Sequence, residues 1–168
     1  MMILLRLVHI LLGIFWVGAT IFTTFFLFPS LIGDPATMGK VGQGLMRRRF
    51  MMIMPLVALF TILSGLAMLR VTSGGQMDAY MQTPAGRTFG MAGGIAILAF
   101  ILGISLARPA GMKAAQLGAQ MASVTDPAER TRLQSEMAAL QKKSGMITVL
   151  VTVLLIIAAA GMAIARYV

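Results

Sequence analysis

"LVHILLGIFWVGATIFTTFFLF", residues 7–28, runs for 22 residues without a charged side chain. A helix rises about 1.5 Å per residue, so about 20 apolar residues cross a hydrocarbon core about 30 Å thick. The stretch is long enough to span. A secretory signal would carry an apolar region of only about 7 to 15 residues ahead of a small-x-small cleavage site. This run is longer and no such site follows it, so it reads as a retained transmembrane helix.

Three further segments meet the same length criterion, at residues 50–69, 88–107 and 145–165, and nothing else does. Breakers stand at the exits: Pro29, Gly33 and Pro35 after the first span, Gly74 and Gly75 after the second, Pro109 after the third. The expected fold is therefore all-α, a single transmembrane domain over residues 1–168 built as a four-helix bundle.

Composition agrees with that reading. Of the 168 residues, 58% are hydrophobic and 11% charged, against about 25% charged in soluble domains; the mean hydropathy is +0.89. The net charge of +9 does not point to nucleic acid, because the basic residues cluster at the ends of apolar runs rather than in a stripe with interleaved aromatics. The lipid bilayer is the partner they imply. The absence of cysteine removes disulfides, thiolate metal sites and cysteine nucleophiles.

With four spans, the segments 30–49 and 108–143 share one side, and the termini with the segment 70–87 share the other. Lys40, Arg47, Arg48, Arg49, Arg108, Lys113, Arg130, Arg132, Lys142 and Lys143 fall on the first side; Arg6, Arg70, Arg87 and Arg166 on the second. The positive-inside rule then places 30–49 and 108–143 in the cytoplasm and both termini outside. Within 108–143, Met112, Leu117 and Met121 recur at helical spacing, as do Leu133, Met137 and Leu140. Between them stands "TDPAER", in which Asp126 suits a helix cap, Pro127 a first turn and Glu129 the third position of a capping box. The third and fourth helices are thus expected to continue into a cytoplasmic helical hairpin that turns near Thr125.

In lipid, helices associate through small residues and through polar groups that bond across the interface. On the first span Arg6, His9, Gly13, Trp16, Thr20 and Thr23 follow at steps of three or four, which turns His9 inward. The corresponding stripes are Ala58, Thr61, Gly65 and Met68 on the second span, Gly86, Gly90 and Gly94 on the third, and Thr148 and Thr152 on the fourth.

His9 is the sole histidine. It lies about 4.5 Å inside the boundary marked by Arg6, level with Met68, Met91 and Met162 on the other spans. Each span also carries one arginine at that boundary: Arg6, Arg70, Arg87 and Arg166. A haem would use all of these, with imidazole and thioether as axial ligands, Gly13 leaving room for a flat ring, Trp16 walling it and arginines pairing with propionates. The plain alternative is equally chemical. His9 then hydrogen-bonds a carbonyl or Thr hydroxyl on a neighbouring helix, the arginines snorkel to lipid phosphates, and Trp16 fills space between helices.

No Asp, Glu or Lys falls within a span, which argues against a proton-coupled transporter or a cation channel. No metalloprotease, serine-hydrolase or nucleotide-binding motif occurs. "FMMIMP", residues 50–55, is the densest thioether cluster and the candidate for copper(I), although adjacent helical methionines point in different directions.

The segments "HILLGIFWVGATIFTTFFLFP" and "RRRFMMIMPLVALFTILSGLAML", and more loosely the ending "MAIARYV", resemble small bacterial membrane proteins related to the membrane-embedded protoporphyrinogen IX oxidase family and to the membrane domain of copper resistance protein D. The resemblance covers about half the chain and rests on His-x3-Gly-x2-Trp-x-Gly. It implies the bacterial cytoplasmic membrane and a haem b ligated by His9. That oxidase family also uses a lysine in its third span, and there is none between Thr88 and Ala107; the departure leaves open whether the chain is an enzyme. Three readings stand. One is a haem-binding protein for electron transfer or porphyrin handling, with a Met or a second subunit's His9 as the other ligand. The second is a structural or accessory subunit of a larger membrane complex, and the third a copper-handling protein.

Overall fold

A computed structural model describes residues 1–32 and 35–168; Gly33 lies outside the described residues. Four helices are long and apolar enough to cross a membrane. The first, α1 (Met2–Ser30), changes pitch through a π-helical turn at Thr23–Leu27. A helix of thirteen residues, α2 (Pro35–Arg47), follows where the sequence promised only a connection. Next come α3 (Phe50–Thr72) and the single turn-and-a-half α4 (Met77–Gln82). The last two are α5, residues 84–123, with a second π-helical turn at Gly103–Ala107, and α6 (Pro127–Ile164). All regular structure among the described residues is helical.

The first three expected spans lie inside α1, α3 and α5, and the fourth inside α6 but for Ala165, which opens a 3-10 turn. The glycines and the caps explain the turns, whereas Pro29 and Pro109 stand within α1 and α5, which run on through them. Gly74 and Gly75 adopt φ of +59° and +84° after α3, the left-handed region that only glycine enters at little cost. Thr83 caps α5 by accepting a hydrogen bond from the Gly86 amide at 3.0 Å, and Pro84 opens its first turn. Asp126 accepts from the Ala128 amide at 3.0 Å and caps α6 ahead of Pro127. Beyond the spans, α5 and α6 continue and touch: Leu117 and Leu133 are buried, and Lys113 pairs with Glu136 at 3.0 Å.

α1 packs chiefly on α3, and α5 on α6. The two pairs meet in a core of Trp16, Ala58, Ala99, Val151 and Leu155, to which every span contributes. The most apolar stretch of each span is only 11% to 22% buried within the chain. The remaining surface is a shell of Leu, Ile, Phe and Met, too large an apolar area for water and suited to acyl chains.

On the third span, packing uses a different stripe from the expected one. Ala92, Ala96 and Ala99 are buried, and a Cβ on Gly161 of α6 would stand 3.1 Å from that of Ala92. Gly94 meets open space. Gly86 and Gly90 serve α4 instead: a Cβ at Gly86 would collide with the Tyr80 carbonyl, and one at Gly90 would come within 2.9 Å of the Met81 sulfur. Both stripes have small residues four apart, so spacing does not choose between them.

Candidate functional site

The His9 side chain is set by α1 and received by α3. Its Nδ1 lies 2.8 Å from the Thr61 carbonyl oxygen. A carbonyl only accepts, so Nδ1 carries a proton, and in the neutral tautomer this leaves the lone pair on Nε2. Ser64 Oγ lies 3.4 Å from the same Nδ1 while donating to the Phe60 carbonyl at 2.7 Å. The ring rests against Gly65, where a Cβ would come within 2.8 Å of Cε1 and 3.1 Å of Nδ1. Glycine at 65 is what allows the imidazole to lie this close to the α3 backbone.

The other sequence candidates divide. Arg6, Arg70, Arg87 and Arg166 are exposed and mark the end of the bundle nearest His9; the Arg166 guanidinium stands 5.4 Å from the ring centroid of its neighbour Tyr167. Met68 and Met162 are half-buried. Met91 is 64% exposed on the outer surface, not turned inward. Gly13 faces the Thr61 methyl, which would lie 3.6 Å from an added Cβ, so α3 occupies the space opposite it. Trp16 is 7% exposed and meets Phe100 edge-on, with centroids 6.3 Å apart and planes at 88°. Among the described residues no three His, Asp or Glu side chains converge.

A second feature lies deeper in the bundle. A cavity of about 170 Å³ opens among the spans, bounded by Trp16, Thr23, Pro55, Phe100, Gly103 and Arg108. Met51 and Met54 of the expected copper cluster also line it, whereas Met52 is 62% exposed, so the cluster splits as helical geometry requires. Three walls carry backbone irregularities: the π turn containing Thr23, the π turn containing Gly103, and Pro55 inside α3. Such π turns inside helices are frequent at functional sites. Arg108 Nε is buried and, among the described residues, is the one such side-chain nitrogen or oxygen without a hydrogen-bond partner. Leaving such a donor unpaired costs about 1–3 kcal/mol, more for a charged group.

The sequence offered Arg108 only as a topological charge, and Pro55 and Phe100 only as parts of apolar runs. Ser64 was also missed, although it stands three residues from Thr61 on the face that carries Gly65. Compared with known proteins, the chain matches no family model, no curated protein and no solved structure.

Proposed function

We propose that this chain is a membrane haem-binding protein in which His9 is an axial ligand through Nε2. The observation that supports the reading is the Nδ1–H bond to the Thr61 carbonyl at 2.8 Å. Metal-ligating histidines as a rule donate their other ring nitrogen to a carbonyl or carboxylate, which sets the tautomer and orients the ring. Here that bond leaves Nε2 as the coordinating nitrogen, with Gly65 steadying the ring face. When bound, a b-type haem supplies one-electron chemistry at iron. The chain's own residues hold and orient the imidazole, and Arg6, Arg70, Arg87 and Arg166 offer cations for carboxylates at that end of the bundle. Met68, Met162 or the His9 of a second copy would supply a further ligand to such a haem, and the last choice would make the protein a homodimer. By its charge distribution the chain sits with 30–49 and 108–143 cytoplasmic, the latter as a helical hairpin; the resemblance adds that the membrane is a bacterial inner membrane.

The same bond favours a second reading. It joins residues 52 positions apart on α1 and α3, a complete structural task for an inward imidazole in an accessory subunit of a larger complex. One experiment separates the two: absorption spectra of the protein in mild detergent, oxidised and dithionite-reduced, beside His9→Ala at equal folded yield. A Soret band with sharp reduced bands, lost in the variant, is expected. A protein that stays colourless after haem is supplied overturns the haem reading and leaves the staple. Copper analysis of the same samples tests the metal-handling alternative.

A further inference from the structure

We infer that the cavity between Trp16 and Arg108 is a binding site for an amphiphilic anion, an acyl chain carrying a carboxylate or phosphate head. The proposal is independent of His9, which does not line this cavity.

Its walls are graded. At one end Trp16, Ala58, Ala99 and Phe100 give an apolar surface; at the other stands Arg108, the first basic residue after the third span. Phe100 and Arg108 are eight residues apart on α5, about 12 Å at helical rise. An ion with no tail would leave the aromatic end unfilled, and a neutral chain would leave Arg108 Nε unpaired. A molecule with one anionic end satisfies both.

The volume points the same way. About 170 Å³ is more than ten times the roughly 10–15 Å³ that admits one water, and below the roughly 300–1,000 Å³ of pockets that enclose a whole drug-sized ligand. It takes the part of one chain next to the head, since a cavity of about 150 Å³ admits a ligand the size of benzene, with the head left at the mouth. Beyond the mouth, Arg108 and Ile104 also border an open groove with Pro109, Met112, Lys113 and Gln116. Lys113 is already paired with Glu136, so among the described residues Arg108 is the cation at this mouth with no carboxylate paired to it.

Because Trp16 is the only tryptophan and is shielded from the lipid shell, its fluorescence reports on the cavity. The probe is dibromostearic acid, titrated by mole fraction into the full-length protein in a non-ionic detergent, with its methyl ester as the uncharged control and a brominated-chain phosphatidylglycerol as the phosphate arm. Saturable quenching by the acid or by the phosphatidylglycerol is expected, and the lower half-saturation tells which source is preferred. The ester, and the acid with Arg108→Gln, should each need about tenfold more, the loss of one charge-assisted hydrogen bond. Gly103→Leu fills the cavity from a helical glycine (φ −60°) whose added Cβ meets no atom within 4 Å; it should abolish the saturable component while leaving helicity and elution volume unchanged. His9→Ala should leave the titration as in the wild type. Acid and ester quenching alike in the wild type overturns the anionic assignment, and a wild-type curve in Gly103→Leu overturns the site itself. If Arg108→Gln does not fold, the acid-against-ester comparison and Gly103→Leu decide.

Discussion

His9 depends on what stands opposite it more than on its own flanks. An added methyl at Gly65 would come within 2.8 Å of the ring, so Gly65→Ala must push the imidazole off the Thr61 carbonyl. Overpacking of this kind costs about 1–3 kcal/mol, partly offset by about 1 kcal/mol of helix propensity. Gly94→Ala, in open space, collects the propensity gain alone. Thermal unfolding in detergent should therefore place Gly65→Ala below wild type and Gly94→Ala at or above it; equal midpoints for the two variants would count against the packed ring. The sequence made the inward direction of His9 legible, because its polar and small neighbours recur at steps of three and four. It did not make the acceptor legible, because a backbone carbonyl on another helix has no signature in residue type.

At the scale of the helices, the π turns decide which polar groups meet. Thr23 continues the stripe of Thr20 and Trp16 at α-helical spacing, yet its hydroxyl returns to the Ala19 carbonyl at 2.8 Å. The group that crosses to α6 is Thr24, 8% exposed, whose Oγ1 lies 2.8 Å from that of Thr152, 0% exposed. A π turn inserts an extra residue into the repeat, and the face shifts by one position there. A double-mutant cycle of Thr24→Val and Thr152→Val should show coupling of about 0.6 kcal/mol and at most about 1.7, the average and the maximum for polar side-chain hydrogen bonds between membrane helices. Thr23→Val combined with Thr152→Val should show none. The same displacement opens the cavity, because Thr23 and Gly103 stand in the two π turns that wall it.

For the whole molecule, four spans put the short helix α4, which carries Ala79, and the turn at Thr125 on opposite sides of the bilayer. With no cysteine in the chain, Ala79→Cys and Thr125→Cys are clean single-site reporters, both at exposed positions. An impermeant maleimide added to intact cells should label Ala79→Cys and spare Thr125→Cys until the membrane is opened. The reverse pattern would invert the orientation proposed from the ten basic residues of 30–49 and 108–143. It would move the His9 end of the bundle to the cytoplasm and the mouth at Arg108 to the outer leaflet.

By itself the sequence determined that this is an all-helical protein with four helices long and apolar enough to span a membrane, that Gly74 and Gly75 follow the second, that Asp126 caps the last helix, and that one face of α1 is polar. These follow from sums over local stretches, apolar length against bilayer thickness and a capping oxygen beside its amides, and need no partner. Only the tertiary structure decided that Thr61 receives His9, that alanines rather than glycines carry the α5 contact, that Thr24 rather than Thr23 crosses to α6, and that Arg108 closes a cavity. Each depends on the rotation and register of one helix against another. Two small-residue stripes on one span and two π turns leave those angles open until all four helices pack.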